Sequence, residues 1–482
     1  MPGAAPEWRA ATGVVPTAVA ARGELVRLVV IGLALLLLTV VLAGGLVAWL
    51  YAAEQLDRRM NRVVADPSAP VPGEADRAFH RSLFVADLHA DTLKWERDLL
   101  RRSAFGHVDL PRLVEGNVGL QVFTIVTKSP VVWARIGIPG ALCVDAGSLN
   151  LAAVLAFFQG RPAFSLRERM FLQVRRLKDA IARSTEQGGT ELRLITDVGE
   201  LRALVRDRQA GRQVVGAILG IEGGHWIGDP EQGSHSVDAD MRELFDLGVR
   251  QIGLTHRFDN LLSGSSEGCD QYGLTEFGRR SVELAEELGI ALDLAHISPA
   301  GLREALEMAT RPVLVSHTGI QAGCEAPCRP ERNLSDDEIR LILANDGLIG
   351  VGYWPEAVGP SAWRIADAMA HIIRLGDAMG LQGDRHVALG SDYDGSVTPF
   401  FDASRVDILT TIMRRRDAPF AEATIRNIAG INACRYFARV LPGGSPAAAD
   451  EICAPLEAPV APLRPPRPPA PVVVESAEPE IL

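Results

Sequence analysis

The sequence predicts an α/β fold, a (β/α)8 TIM barrel of eight parallel strands, with a transmembrane helix at its N-terminus. The barrel is indicated by eight short runs rich in β-branched residues, which alternate with amphipathic stretches of helical periodicity. An open doubly wound sheet is less favoured, because no glycine-rich dinucleotide fingerprint follows the first run. A long uncharged stretch that precedes all of these runs indicates the transmembrane helix.

The uncharged stretch covers residues 28–53, which is 26 residues without Asp, Glu, Lys or Arg. As a helix it would rise roughly 39 Å, more than the roughly 30 Å hydrocarbon core of a bilayer. It is longer than the apolar region of a signal peptide, and no cleavage pattern follows it. Arginines near its two ends nearly balance, so the positive-inside rule does not decide the orientation. The short N-terminus favours a single-pass signal anchor, which would place residues 54–482 outside the cytoplasm, in a periplasmic or extracellular space.

Composition excludes one class of partner and suggests the domain limits. The net charge is −11 and no basic stripe is present, which argues against a protein that binds nucleic acid. The six cysteines lack the paired spacing of a zinc ribbon, although Cys324 and Cys328 could form a disulfide in an exported domain. The Pro/Ala-rich C-terminus is typical of an extended segment. We therefore expect a short N-terminal tail (1–27), the anchor (28–53), a linker (54–75), a metal-dependent barrel domain (76–440) and a C-terminal tail (441–482).

The predicted strands are separated by segments with helical signals. Residues 275–289 repeat apolar positions at helical spacing, and residues 335–346 open with Ser335 and Glu338 at capping-box spacing. Strands that alternate with helices pair in parallel, and eight such units suggest a closed barrel. The predicted strands cover residues 84–91, 118–126, 214–224, 249–256, 289–298, 312–319, 347–354 and 386–395.

Titratable side chains stand at the carboxyl ends of six of the eight predicted strands. They are His89, Asp91, Glu222, His256, His296, His317 and Asp392. A barrel gathers the carboxyl ends of all its strands on one face, and active sites lie on that face. Imidazole and carboxylate ligands suit zinc and related divalent ions, and the lack of a thiolate among them favours a catalytic site. We therefore expect these side chains to form a metal centre.

The number of candidate ligands predicts two ions rather than one. Four or five ligands exceed what a single catalytic zinc takes, and Glu222 is the natural carboxylate to bridge a pair. A water between two such ions loses a proton near neutral pH and becomes a nucleophile. Asp392 could accept that proton and return it to a leaving amine. The expected reaction is hydrolysis of an amide or an ester.

A set of motifs occurs in order between about residue 80 and residue 440: DLHAD, GIEGGH, LTH, DLAHIS, VLVSHT, ERN and GSDYDG. Together they resemble the membrane dipeptidase (renal dipeptidase) family of zinc peptidases, which are amidohydrolase-like. The resemblance implies a TIM barrel with two zinc ions per chain. It implies that His89 and Asp91 bind one ion. The other ion would be bound by His296 and His317, with Glu222 bridging the two.

The same resemblance implies roles for three further side chains. His256 would contact the substrate carbonyl and stabilise the oxyanion. Arg332 would bind the free carboxylate of the substrate, a bidentate task that suits arginine. Asp392 matches the general acid/base position of the family.

Two segments depart from the family pattern. Residues 128–165 form a long apolar insertion after the second strand, which could be a lid, a homodimer contact or a loop that rests on the membrane. Residues 323–330 lengthen the loop that carries Arg332. Asp87 should face inward one layer below the ligands, where it would form hydrogen bonds inside the barrel or support a ligand. Asp394 should be a loop residue or lie behind the ligands.

The expected function is that of a membrane-anchored binuclear zinc dipeptidase, which binds small peptides and is held to the membrane by its N-terminal helix. The alternative is a related amidohydrolase that acts on lactones, β-lactams or N-acyl amino acids, because the same metal centre could open those bonds. A catalytically silent, tethered scaffold would be marked by missing ligands, and the sequence lacks none of them.

Overall fold

The barrel is visible in a computed structural model that describes residue 3 and residues 18–130, 143–145, 150–159 and 161–464. Its strands are β1 (Val85–Ala90), β2 (Val118–Val126), β3 (Glu191–Leu194), β4 (Val214–Glu222), β5 (Val249–Gly253), β6 (Ala291–Asp293), β7 (Leu314–Thr318), β8 (Leu348–Val351) and β9 (Val387–Leu389). Eight of these strands form a closed parallel ring in the order β2-β1-β9-β8-β7-β6-β5-β4, and pairing of β2 with β4 completes it.

This ring confirms the predicted (β/α)8 barrel, and all eight predicted strands are present. β2 and β4 are buried along their whole length, as expected for parallel strands that are covered on both faces. The additional strand β3 was not predicted. It pairs with the first residues of β4, with Glu191 opposite Val214, and its sequence ELRL is only partly buried. Such a short run with alternating charges carries little strand signal.

Sixteen α-helices are present among the described residues, and most of them alternate with the strands. They are α1 (Ala18–Met60), α2 (Glu74–Arg81), α3 (Leu110–Glu115), α4 (Leu151–Phe158), α5 (Leu166–Gln187), α6 (Val198–Gln209), α7 (Val237–Asp246), α8 (Glu276–Leu288), α9 (Pro299–Met308), α10 (Asp336–Ala344), α11 (Pro355–Val358), α12 (Trp363–Ala378), α13 (Asp407–Arg415), α14 (Glu422–Arg426), α15 (Asn432–Val440) and α16 (Pro446–Cys453). Both helices predicted from periodicity are confirmed as α8 and α10. The side chain of Thr275 caps α8, and Ser335 and Glu338 form the predicted capping box of α10.

The first helix contains the predicted anchor. The stretch Val26–Val47 is long and apolar enough to cross a membrane, and its mean hydropathy is 2.8. The chain divides into two compact units, Met1–Ala52 and Ala53–Leu482. Because α1 continues to Met60, the first residues of the predicted linker 54–75 are helical.

All six cysteines are paired, in the disulfides Cys143–Cys269, Cys324–Cys328 and Cys434–Cys453. The Cys324–Cys328 bond, which the sequence left open, is therefore present in the loop before Arg332. The start of the predicted C-terminal tail differs from an extended segment, because α16 is held by Cys453 and is capped by Ser445. Part of the insertion 128–165 lies outside the described residues, and its role stays a prediction.

Candidate active site

The predicted metal ligands lie together at the carboxyl end of the barrel. Glu222 is the last residue of β4, while His317 and His89 lie within β7 and β1. The remaining four follow the ends of β1, β5, β6 and β9 by one to three residues. All seven residues are buried, and none of them is more than 7% exposed. The strand ends therefore bring the whole predicted set into one buried cluster.

The carboxylate of Glu222 is at the centre of this cluster. Its Oε1 lies 3.1 Å from Nε2 of His296 and 3.3 Å from Nε2 of both His89 and His317. Its Oε2 lies 3.4 Å from Nε2 of His256. The Nε2 atoms of His296 and His317 are only 3.0 Å apart. Four imidazoles thus direct the same ring nitrogen at one carboxylate.

Two aspartates lie beside His89. Its Nε2 is 3.4 Å from Asp91 Oδ1 and 3.9 Å from Asp392 Oδ1. Thr124 donates a hydrogen bond of 2.6 Å to Asp91 Oδ1, and Lys94 Nζ is 3.7 Å from its Oδ2. These contacts orient the carboxylate of Asp91 toward the histidine.

Three groups of ligand atoms are close enough together to hold an ion. They are His89, His317 and Asp392; Glu222, His256 and His296; and His89, Asp91 and Glu222. The last group contains the first predicted ligand set. The second group has His256 where the prediction has His317, although both imidazoles face Glu222 at similar distances. The assignment of individual ligands therefore stays a prediction.

The donor set fits a divalent cation such as zinc. Oxygen and imidazole ligands without a thiolate are typical of catalytic zinc. Glu222 Oε1 is buried and makes no hydrogen bond of good geometry to the described residues, although three ring nitrogens surround it. Hydrogen bonds in this arrangement do not satisfy the carboxylate oxygen and the ring nitrogens. A cation between these atoms would satisfy both kinds of atom.

The charged groups of the cluster change the pKa values of one another. Burial favours a high pKa for Glu222, but the imidazoles of His256 and His89 hold that pKa well below its usual range. Burial also opposes the charge on His89, yet the carboxylates of Glu222 and Asp91 raise its pKa well above the usual value. Burial raises the pKa of Asp392 well above its usual range. Asp392 is thus the carboxyl of the cluster that is best able to hold a proton.

The far sides of the histidine rings are also supported. Ser316 Oγ lies 3.2 Å from Nδ1 of His89 and 3.0 Å from Nδ1 of His317. Nδ1 of His256 donates to the carbonyl oxygen of Lys128 at 3.0 Å. Contacts at Nδ1 fix the orientation of each ring and leave Nε2 directed at Glu222.

His296 is supported by a buried carboxylate from a different loop. Glu267 Oε2 lies 3.6 Å from Nδ1 of His296. Glu267 also accepts two hydrogen bonds of 2.9 Å from Arg257, and its Oε1 is 3.1 Å from Arg329 Nη2. Burial would raise the pKa of Glu267, but Arg257, His296 and Arg329 hold it well below its usual range. Glu267 therefore remains charged behind this predicted ligand.

Arg332 borders the cluster at the cavity that leads to it. Its Nη2 lies 3.1 Å from His296 Nε2 and donates to the carbonyl oxygen of His317 at 3.1 Å. The cavity has a volume of about 200 Å³, and its wall includes Arg332, His256, Trp354 and Asp392. Clefts for drug-sized ligands measure roughly 300–1,000 Å³, so this cavity suits a smaller substrate.

Comparison with known proteins identifies the family. The sequence profile of the membrane dipeptidases, peptidase family M19, matches residues 74–442, which is more than half of the chain. The chain belongs to the membrane dipeptidase family. This confirms the resemblance carried by the motifs. The protein is accordingly an enzyme of the zinc-dependent dipeptidase class, a hydrolase with a small peptide as substrate.

The chain is also similar to individual proteins. The dipeptidase verJ of Clonostachys rogersoniana is 29% identical over 343 residues, which cover 70% of this chain and 76% of that protein. The crystal structure of a metallopeptidase, dipeptidase AC, matches with a TM-score of 0.57 at 22% identity, over 75% of this chain and 99% of the other. A metallopeptidase from Rhodobacter sphaeroides, solved with a phosphinate mimic of the dipeptide L-Ala-D-Ala, has a TM-score of 0.56 at 22% identity, over 74% and 99% of the two chains. The two structures support the fold.

The sequence analysis foresaw one supporting residue of this site and missed others. Asp87 is confirmed inside the barrel, where it accepts hydrogen bonds from Gln121 and Ser391. Ser316 was missed, although its place directly before His317 in VSHT is a usable signal. Glu267 was also missed, because it lies in an irregular loop and no local pattern marks it.

Proposed function

We propose that this membrane dipeptidase binds two zinc ions and hydrolyses dipeptides while it is anchored to a membrane. The position of Glu222 supports the number of ions, because its two oxygens face different imidazoles at 3.1–3.4 Å. A carboxylate in this position suits a bridge between two cations. We assign His89 and Asp91 to one ion. The other is assigned to His296 and His317.

The residues of the chain provide the proton transfer and charge stabilisation that hydrolysis needs. Bound zinc supplies Lewis acidity, which polarises a scissile carbonyl and lowers the pKa of water in the site. We assign Asp392 as general acid and base, because burial raises the pKa of its carboxyl well above the usual range. It can therefore hold a proton and release it to a leaving amine.

His256 is proposed to stabilise negative charge on the carbonyl oxygen of the substrate. Its Nδ1 donates to the carbonyl of Lys128, so its Nε2 carries a proton only when the ring is cationic. Burial lowers the pKa of His256, which favours the neutral ring before reaction. Negative charge that develops on a nearby oxygen would favour the cationic ring, and the stabilisation would therefore be greatest in the transition state.

Arg332 supports a substrate with a free carboxylate. Its guanidinium borders the cavity and lies close to His296, where it can form paired hydrogen bonds with a carboxylate. The cavity of about 200 Å³ suits a dipeptide with small side chains. Because the Rhodobacter sphaeroides relative was solved with a mimic of L-Ala-D-Ala, we include a D-residue at the second position among the proposed substrates.

The disulfides and the apolar helix support the proposed location. Disulfides persist in oxidising compartments, and all six cysteines of this chain are paired. With the stretch Val26–Val47 as a single membrane span, we propose that domain 76–440 lies outside the cytoplasm, in a periplasmic or extracellular space. Protease added to intact cells or spheroplasts should then digest this domain, and protection of the domain would contradict the topology.

Metal dependence tests the proposed function directly. The full-length protein in detergent should hydrolyse L-Ala-D-Ala, lose this activity after treatment with a chelator, and regain it when zinc is added. Metal analysis should find two zinc ions per chain. Activity that is indifferent to the chelator would refute the proposal, and one zinc per fully active chain would refute the binuclear site.

Replacing Arg332 by alanine distinguishes a dipeptidase from the alternative enzymes. Loss of a charged hydrogen-bond donor should raise KM for a dipeptide by about 10- to 100-fold. A lactone has no free carboxylate, so its hydrolysis should be insensitive to this change. Equal KM values for a dipeptide with the variant and the wild type would refute the assigned role. Arg303→Ala, which removes an exposed arginine, is the control.

A further inference from the structure

Two polar residues shortly after the apolar span are buried in the catalytic unit. We call residues 56–64 the post-span segment. Its Asp57 and Asn61 are only 3% and 2% exposed. Leu56 and Met60 pack against a small apolar cluster of Trp95, Leu151 and Leu155. The segment precedes residue 74, where the match to the family begins, so its contacts are additional to the family domain.

The partner of this segment is the loop that carries the proposed general acid and base. In this Asp392 loop (residues 391–398), three residues other than glycine have positive φ: Asp392 at 55°, Asp394 at 61° and Ser396 at 66°. Such residues cost roughly 1–3 kcal/mol each and persist only when surrounding contacts hold them. Residues 395–398 also form part of the cavity wall next to Asp392. The shape of the loop thus decides where the carboxyl of Asp392 lies.

The post-span segment provides several of the contacts that hold this loop. The amide of Ser396 donates to Asn61 Oδ1 at 3.1 Å. Asn61 in turn donates to Asp57 Oδ1 at 2.8 Å. Asp57 Oδ2 accepts a hydrogen bond of 2.8 Å from Arg97, whose Nη2 is 2.7 Å from Asp394 Oδ1. The segment therefore contacts two of the three strained residues, Ser396 directly and Asp394 through Arg97.

Residues of the family domain also hold the Asp392 loop. The contribution of the post-span segment is limited to the contacts that those residues do not make. Thr92 donates to Asp394 Oδ2, and the amide of His107 donates to its Oδ1, both at 2.8 Å. From the family domain, Lys94 Nζ donates to the Ser396 hydroxyl at a long distance of 3.4 Å, whereas the backbone amide of Ser396 donates to Asn61 at 3.1 Å. Removal of the Asn61 side chain should thus release the part of the loop after Asp394 while the barrel stays folded. The change reaches Asp392 through Gly395, whose amide donates to the Asp392 carbonyl oxygen at 3.1 Å.

We propose that Asp57 and Asn61 are positioning residues, which hold the Asp392 loop in its active shape. The proposal rests on the proposed function, because it takes Asp392 as the group that moves the proton. It assigns a catalytic purpose to the end of the membrane helix, which would otherwise serve as an anchor and a linker alone. The activity of the enzyme should then depend on side chains that lie outside the family domain and do not touch the substrate.

Kinetics of full-length variants in detergent test this role. Asn61→Ala should lower kcat for L-Ala-D-Ala by about 10- to 100-fold, because small misplacements of a catalytic group have effects of this size. KM should change by less than about two-fold, since Arg332 and His256 lie on other loops. Zinc content should equal that of the wild type. Gln55→Ala, which removes an exposed amide from the same helix, is the matched control and should keep the kcat of the wild type.

Other results would overturn the proposal in distinguishable ways. If kcat of Asn61→Ala equals that of Gln55→Ala, the segment does not position the loop. If zinc content and kcat fall together, the segment supports the metal centre or the fold instead. Should Asn61→Ala fail to fold, Asp57→Asn is judged by the same criteria. A wild type without chelator-sensitive activity would refute the proposed function and this inference with it, whereas an active wild type with an equally active Asn61→Ala refutes the positioning role alone.

Discussion

Replacing Glu267 by glutamine should remove the charge that holds two arginines and a histidine behind the active site. Glu267 is 3% exposed, accepts two hydrogen bonds from Arg257 at 2.9 Å and lies 3.1 Å from Arg329. Glutamine keeps one acceptor oxygen but directs an NH2 group at an arginine donor, so at least one charged hydrogen bond is lost. Each such bond contributes about 1.5–3 kcal/mol.

The arginine side chains limit the size of this effect. Those of Arg257 and Arg329 are 19% and 26% exposed, so water can partly replace the lost acceptor. We therefore expect the free energy of unfolding to fall by about 3 kcal/mol, the lower end of the range for a broken buried ion pair. Because His296 would also lose its carboxylate partner, dipeptidase activity should fall by about 10- to 100-fold.

Urea unfolding of the detergent-solubilised protein measures the first quantity, with the slope of the transition compared between variants. Glu331→Gln is a matched control, because Glu331 pairs with Arg329 from its exposed side. The control should alter the free energy of unfolding by less than about 1 kcal/mol. If Glu267→Gln is no less stable than Glu331→Gln, the carboxylate of Glu267 does not hold the two arginines, and the reasoning fails.

Three further predictions concern the metal, the pH dependence and a disulfide. Glu222→Gln should reduce the zinc content measured after dialysis, whereas Glu231→Gln at an exposed site should not; equal contents would refute Glu222 as a bridging ligand. Burial raises the pKa of Asp57 from 3.8 to about 6, so the stability that its protonation contributes is present below pH 4 and is lost as the pH rises through 6. The loss should reach about 3 kcal/mol, and Asp57→Asn should abolish this part of the pH dependence of thermal unfolding; an unchanged profile would contradict it. Cys434→Ser removes the disulfide between Cys434 and Cys453, which are 19 residues apart in the sequence. This change should lower the free energy of unfolding in urea by about 3 kcal/mol. Unchanged stability under oxidising conditions would refute this prediction.

The barrel could be predicted from the sequence because its strands are buried on both faces. A strand such as β2, VGLQVFTIV, reads as a nearly continuous apolar run and needs no partner to be recognised. The capping residues Thr275 and Ser335 likewise signal their helices locally. β3 was missed because four residues with alternating charge provide neither length nor periodicity.

The candidate site could be predicted as far as the strand ends define it. The rule that barrel strands deliver their carboxyl ends to one face is sufficient to bring His89, Glu222 and His317 together. The same rule says nothing about Glu267, which lies in a loop without periodicity and is 29 positions before His296. Asp57 was also unpredictable, because a charged residue shortly after an apolar span is usually solvated.

Two of the site residues show why these missed contacts matter. His296 and Asp392 leave their strands with φ values of 64° and 55°, conformations that residues other than glycine rarely adopt. The loop of Glu267 holds His296 from one side, through the carboxylate and through the amide of Ser266, which donates to the His296 carbonyl at 2.8 Å. The post-span segment, through Asn61, holds the loop of Asp392.

The barrel therefore determines where the chain places the proposed metal ligands and the proposed acid. Segments outside its strands determine the orientation of two of them, His296 and Asp392. Strained conformations at functional residues require such external support, because local preference alone would relax them. A chain with the same ligand motifs but without a counterpart of Glu267 or Asn61 could still form the barrel and gather the ligands. It would hold His296 and Asp392 less firmly, so the motifs by themselves predict metal binding better than they predict the rate of hydrolysis.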